Sequence, residues 1–274
     1  MKTASRVYTA LIFIFLFAPI AILLIFSFNE AKSLSVFSGF SLKWYRELLH
    51  DQSTLDSVRN TLLLAVSAMV ISTVMGTAAS VGIDRLRLRW LRATLNTVTD
   101  IPMTNPDIVT GVSLALLFAF TGTALRLNSV LGFWTLLIAH ITFNFPYVIL
   151  NVMPKLQQMD PELVDAALDL GCSPMKAFTK VVIHEIMPGV LSGALMAFTM
   201  SLDDFVISYF VTGSSFITLP VEIYNYTKKP IQPKIYALFT LMFAVILLLM
   251  VLMNLLQARS DKAKGRAAAR RVRV

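Results

Sequence analysis

Apolar residues along this chain gather into six blocks, each near 20 residues long, with polar segments between them. A helix rises about 1.5 Å per residue, so each block is long enough to cross about 30 Å of hydrocarbon. The pattern predicts spans at roughly 8–28, 58–82, 96–120, 130–153, 188–211 and 235–257. The short alternating segments of a membrane β-barrel do not occur. The expected fold class is an all-α polytopic membrane protein, with residues 1–274 forming one transmembrane domain. The first block follows Lys2 and Arg6, as a signal peptide would. Its apolar run is longer than a signal core and no small-residue cleavage site follows, so it is expected to stay as an anchor. The longest connecting segments, 29–57 and 154–187, are too short to bury cores of their own.

Composition agrees with the pattern. The chain is 56% hydrophobic and 15% charged, whereas a soluble domain carries about 25% charged residues. The positions of the basic residues add an orientation. With the N-terminus inside, inner segments hold 16 of the 24 Lys and Arg residues, among them Arg85, Arg87, Arg89, Arg92, Lys155, Lys176 and Lys180. The asymmetry predicts that both termini, and the 154–187 loop, face the cytoplasm. The net charge of +8 lies mostly in the tail 258–274 and the stretch from Arg85. Both would meet anionic lipid, so no nucleic-acid partner is expected. Cys172 stands alone and is read as a small filler.

The polar loop from Asp160 to Pro188 carries two helix-start signals. Asp160 precedes Pro161 at a first helical position and Gly171 can end that helix. Ser173 and Pro174 repeat the signal, so two short helices joined at a glycine are expected. Ala166 and Ala167 would let another surface come close, and Phe178, Val181 and Val182 make an apolar stripe on the second helix.

Acids inside the spans are the other chemical feature. Asp203 and Asp204 fall in the fifth span, roughly 22 Å along a helix counted from Pro188. A central carboxylate costs about 2.5–3.5 kcal/mol on insertion scales, so a pair calls for compensating cations or donors. Gly193, Ala197, Ser201, Asp204 and Ser208 form a small or polar stripe, with Asp203 beside it. Two readings stand: a path for a cationic solute, or a packing face with one buried, hydrogen-bonded acid. Asp107 follows Pro102 and Pro106, which favour a bend that frees carbonyls. Either it sits at that bend or the third span begins later and leaves it near the interface. His140, Asn144, Tyr147 and Asn151 share a face of the fourth span, where bridging to another helix is the commoner use. Trp44 and Tyr45 in the outer loop suit headgroup anchoring or cation–π contact. No phosphate-binding G-x-x-x-x-G-K-[ST] occurs and no second ligand accompanies His140, so no enzyme activity, cofactor or metal is expected.

The segment from Asp165 to Gly171, DAALDLG, resembles the EAA loop of ABC importer permeases, E-A-A-x3-G-x9-I-x-L-P. Asp165, Ala166, Ala167 and Gly171 take the Glu, Ala, Ala and Gly positions, Val181 and Ile183 the Ile and Leu positions, and His184 stands where proline is usual. SLKWYRELL, NPDIVTGVSL, AHITF and FTMSLDDFVISYFVTG extend the resemblance to the spermidine/putrescine permeases, and within them to the second permease subunit. The resemblance implies a type I ABC importer permease architecture of about six helices in the bacterial inner membrane. It implies ATPase subunits docking on the EAA loop, a related permease, an external polyamine-binding protein and alternating access. It also places Trp44, Asp107, Ser201, Asp203 and Asp204 on the substrate path. Rival readings are an ABC permease for another small solute and a self-sufficient cation channel or secondary carrier. A membrane-embedded enzyme lacks any cluster of nucleophile, base or ligands.

Overall fold

The structure is a computed structural model and describes residues 2–31, 36–126, 130–160, 162–228, 233–248 and 251. The end of the sixth apolar block, the basic tail 258–274, Lys32, Pro161 and Lys229 lie outside the described residues. Within them the order is α1 (Lys2–Ser27), α2 (Lys43–His50), α3 (Gln52–Asp84), α4 (Arg89–Thr104), α5 (Asp107–Ala124) and α6 (Phe133–Gln158). There follow α7 (Glu162–Asp169), α8 (Pro174–Ala177), a π turn (Phe178–Val182), α9 (Ile183–Asp203), α10 (Val206–Val211) and α11 (Leu219–Thr227). A further apolar helix, α12, covers Lys234–Leu248. An isolated antiparallel bridge joins Asn29 and Phe40.

Among the described residues, five helices are long and apolar enough to cross a membrane: Arg6–Ser27, Gln52–Asp84, Asp107–Ala124, Phe133–Gln158 and Pro174–Asp203. Two of them differ from the hydropathy reading. The block at 96–120 is split, because Asn105 is extended (ψ 131°) ahead of Pro106 (ψ 134°). Proline disfavours helical backbone at the residue before it, so α4 ends there and the apolar span is α5 alone. The fifth span does not begin at Pro188 and run to 211. It begins at Pro174, carries Pro188 inside it, and stops at Asp203. Proline in a helix interior loses its bond to the carbonyl four residues back and crowds that carbonyl, yet the helix continues here.

The described chain divides into two compact units, Met1–Asp56 with Glu222–Val274, and Ser57–Val221. In the second, α6 is the buried axis, with Leu136, Ala139, Val148 and Val152 fully enclosed. α9 lies along it through Gly189, Gly193, Ala197 and Ser201, all buried. A Cβ at Gly193 would stand 3.2 Å from the Val148 Cα, so the two backbones approach as far as small residues allow. In lipid such dispersion contact, rather than expulsion of water, is what holds helices together.

In the first unit, α2 buries Trp44 and Leu48. Asp51, just beyond α2, accepts hydrogen bonds from Lys234 Nζ (3.0 Å), Thr54 Oγ1 (3.0 Å) and Tyr226 OH (3.2 Å). The Lys234 ammonium also lies 5.2 Å from the Tyr226 ring centroid. Burial pushes the Asp51 carboxyl up, but the hydrogen bonds from Lys234 and Thr54 and the Lys234 charge outweigh it and hold the group below its ordinary value of 3.8. A depressed acid contributes stability that is complete above that value and is lost as the pH falls through the folded-state value. Lys234→Met is therefore expected to lower the melting temperature of the detergent-solubilised protein, at a cost of about 1–3 kcal/mol for the stranded carboxylate. The gap from wild type should be constant through neutral pH and close in acid as Asp51 protonates, first in the variant and then in wild type, as thermal melts across pH would show.

Candidate functional site

Two places concentrate polar chemistry, the break that ends α9 and the hairpin that precedes it. At the break, Asp203 is the last residue of α9 and Asp204 turns extended, with ψ 118°. Asp204 Oδ1 then accepts from the Ile207 amide at 3.2 Å and Oδ2 from the Ser208 amide at 2.7 Å. A short acid just ahead of a helix satisfies first-turn amides that have no partner within the helix, which is why α10 restarts here. From α6, His140 Nε2 lies 3.4 Å from Asp204 Oδ2 and 3.1 Å from Ser208 Oγ.

One turn along α6, Asn144 donates to Ser201 Oγ at 2.6 Å, and further on Asn151 Oδ1 accepts from Ser192 Oγ at 2.9 Å. The polar face expected on the fourth span thus bridges α6 to α9 and α10. Tyr147 gives its carbonyl to the Asn151 amide at 2.8 Å. α5 closes α10 from another side, since a Cβ at Gly111 would lie 3.3 Å from the Ile207 Cα.

Burial separates the two acids. The Asp204 side chain is 8% exposed and His140 is fully enclosed, whereas Asp203 is exposed. Ser201 is buried and bonded to Asn144. Asp107 is exposed in the first turn of α5, where the helix dipole favours a negative charge. Trp44 is 2% exposed, and its Nε1 donates to the Asn29 carbonyl at 2.7 Å. It therefore ties α2 to the segment that follows α1, and Lys43 Nζ lies 5.2 Å from its ring centroid.

The hairpin keeps one expected helix and changes the other. Asp160 Oδ1 accepts from the Glu162 amide at 3.0 Å, and α7 follows. It ends in a Schellman turn, with Gly171 N–H donating to the Leu168 carbonyl at 2.9 Å and Cys172 N–H to the Ala167 carbonyl at 3.0 Å. Gly171 has φ +82°, a conformation other residues adopt only with strain. Ser173 Oγ then accepts from the Lys176 amide at 3.4 Å.

The second helix is not short and separate. α8 passes through the π turn into α9 as one helical run, Pro174–Asp203, with His184 inside it. The apolar stripe is likewise turned inward: Val182 is 3% exposed, and it packs with Phe178 against Leu156, Val164 and Ile186. What the hairpin offers outward is Asp165, Ala166, Leu170 (87% exposed) and Met175 (71% exposed). Ala167 is half-buried.

Sequence reasoning missed the pairing of His140 with Asp204 and the outward Leu170 and Met175. An acid four residues ahead of Ser208 is a helix-start signal that pointed to the break. Two large apolar side chains flanking a glycine turn pointed to a covered surface.

Long apolar helices, a broken span with buried polar bridges and a capped hairpin with an apolar tip define a helical, multi-pass membrane transport component. The chain belongs to the family of binding-protein-dependent transport system inner membrane components, whose family model matches residues 72–266. It is 36% identical over 255 residues to the putrescine transport system permease protein PotI of Escherichia coli (strain K12), covering 93% of this chain and 90% of that one. It is 37% identical over 254 residues to the spermidine/putrescine transport system permease protein PotC of the same strain, covering 93% of each. Among solved structures, a chain of a bacterial ABC transporter involved in the import of the acidic polysaccharide alginate superposes with a TM-score of 0.73 at 13% identity, covering 94% of this chain and 95% of that chain. That likeness concerns the fold. The protein is an inner-membrane, multi-pass permease component and not an enzyme.

Proposed function

We propose that this chain is one of two related permease subunits of an ATP-driven importer that carries polyamines, spermidine or putrescine, across the inner membrane by alternating access. The observation that carries the reading is the exposed Asp203 at a break in an intramembrane helix, in a chain whose relatives are named for putrescine and spermidine transport. A protonated amine supplies the countercharge that an intramembrane carboxylate requires. Asp107 is a second such group on the proposed path. Ser201, Asp204 and Trp44, each engaged in hydrogen bonds within the chain, shape that path more than they contact cargo.

The hairpin is the proposed seat of the ATPase subunits. Asp165, Ala166, Ala167 and Gly171 form its backbone and rim, and Leu170 and Met175 are the apolar side chains that docking would cover. α8 and α9 are one rod, so a push on the hairpin is delivered along the helix to Asp203. The basic excess in the inner segments supports termini and hairpin on the cytoplasmic side. An extracytoplasmic polyamine-binding protein would deliver cargo to the opposite face, and anionic lipid would hold the tail.

The test is co-purification of the tagged chain from its native membrane, followed by ATPase assays of the isolated complex. An ATPase and a second permease should accompany it, and putrescine with its binding protein should stimulate hydrolysis. Purification of the chain alone, with polyamine flux in proteoliposomes free of ATPase, would replace this reading by a self-sufficient carrier.

A further inference from the structure

We propose that His140 is a positioning residue of the transport path: it holds Asp204 inside the break, so that Asp203 is the acid of the pair left to face the cargo. The inference rests on the polyamine reading only for the identity of the cargo. Its physical content is a division of labour between two adjacent acids.

Asp204 is already engaged at both oxygens. Both of its oxygens accept backbone amides, from Ile207 and Ser208, and Oδ2 also faces His140 Nε2 at 3.4 Å. An ammonium ion reaching Asp204 would enter a site already filled by these partners, with a side chain only 8% exposed. Asp203, one residue earlier, ends α9 and is exposed. Nothing has to be displaced for a cation to meet it from that open side.

The break needs an outside tie because α10 is too short to hold itself. It has six residues, and isolated helices below about 12 residues are marginal. The Asp204 cap, the close approach of Gly111, His140 and the core packing of Ile207 and Val211 fix it in the second unit. His140 touches both the capping acid and the helix it caps, through Asp204 Oδ2 and Ser208 Oγ on the same ring nitrogen. Its other nitrogen, Nδ1, is buried with no hydrogen-bond partner among the described residues. An enclosed ring with one idle nitrogen implies that Nε2 is the atom that matters. Loss of that atom would leave Asp204 short of a partner in a low-dielectric site and let the start of α10 shift, moving Asp203 with it.

The test uses the whole importer in proteoliposomes, with uptake of radiolabelled putrescine and basal ATP hydrolysis both measured per assembled complex. His140→Gln places an amide nitrogen near the Nε2 position, whereas His140→Asn reaches only the Nδ1 position. His140→Gln should keep uptake within about twofold of wild type, and His140→Asn and His140→Phe should each lose about tenfold in kcat/KM, with KM for putrescine raised because Asp203 is displaced. In an Asp204→Asn background the same His140 substitutions should add less than about twofold, because the group they act through is gone.

Equal impairment by Gln and Asn, wild-type rates per complex in all three variants, or losses that simply multiply with Asp204→Asn would overturn the assignment. Should wild-type complexes hydrolyse ATP yet take up no putrescine, the cargo reading fails. The ranking of Gln over Asn, and its dependence on Asp204, then remain readable in basal ATP hydrolysis.

Discussion

Asp203→Asn is expected to cut putrescine uptake by the assembled importer by on the order of tenfold to a hundredfold, the larger of the effects foreseen on cargo handling. The physical reason is the loss of one full charge where water is scarce. In such a site an ammonium–carboxylate pair is worth several times its value in water, and asparagine keeps the volume and the hydrogen-bond acceptor but not the charge. The loss should fall on KM at least as much as on maximal rate, because Asp203 is proposed to meet the cargo directly. Asp203 is exposed at the end of α9, so the variant should fold and assemble like wild type. Uptake kinetics per assembled complex check this, and an unchanged KM and rate would remove Asp203 from the path. Asp204→Asn should look different. It weakens the cap of α10 and the contact to His140, so its deficit in uptake should be accompanied by lower thermal stability.

Ala166→Arg should abolish uptake by a different route, without touching the path at all. Ala166 is exposed on α7, beside the outward Leu170 and Met175. Nothing within the described residues needs it to be small, whereas a partner seated closely on this surface would. The arginine would hold off that partner with bulk and with a charge that docking must strip of water. Membrane content of the permease should stay at the wild-type level while ATPase subunits disappear from the pull-down and uptake falls to background. Retention of the ATPase with normal uptake would place the docking surface elsewhere. Together the two variants separate cargo handling from coupling, since Asp203→Asn should keep the ATPase and Ala166→Arg should lose it.

Some of this was legible from residues alone because it depends on short-range rules. Blocks of about 20 apolar residues have few fates besides crossing a bilayer. The caps of α7 and α8 follow from Asp160, Gly171 and Ser173 bonding backbone groups within four residues of themselves. The bend at Asn105–Pro106 was foreseeable for the same reason, although hydropathy carried the third span across it. The polar face of α6 was visible at helical spacing, but its partners were not. His140 stands 64 residues from Asp204 in the chain, and only the packing of α6 on α9 and α10 makes them neighbours.

The sequence by itself determined the class of protein, the approximate places of the apolar helices and the capped hairpin, because hydropathy, proline and capping act locally along the chain. Tertiary structure decided which side chains face one another. It turned Val182 and Phe178 inward and left Leu170 and Met175 outward, joined α8 to α9 as one rod, and ended that rod at Asp203. It also split two adjacent, chemically identical acids into a buried cap and an exposed charge. Burial and hydrogen bonding are properties of surroundings, and the surroundings of Asp204 come from helices far away in sequence.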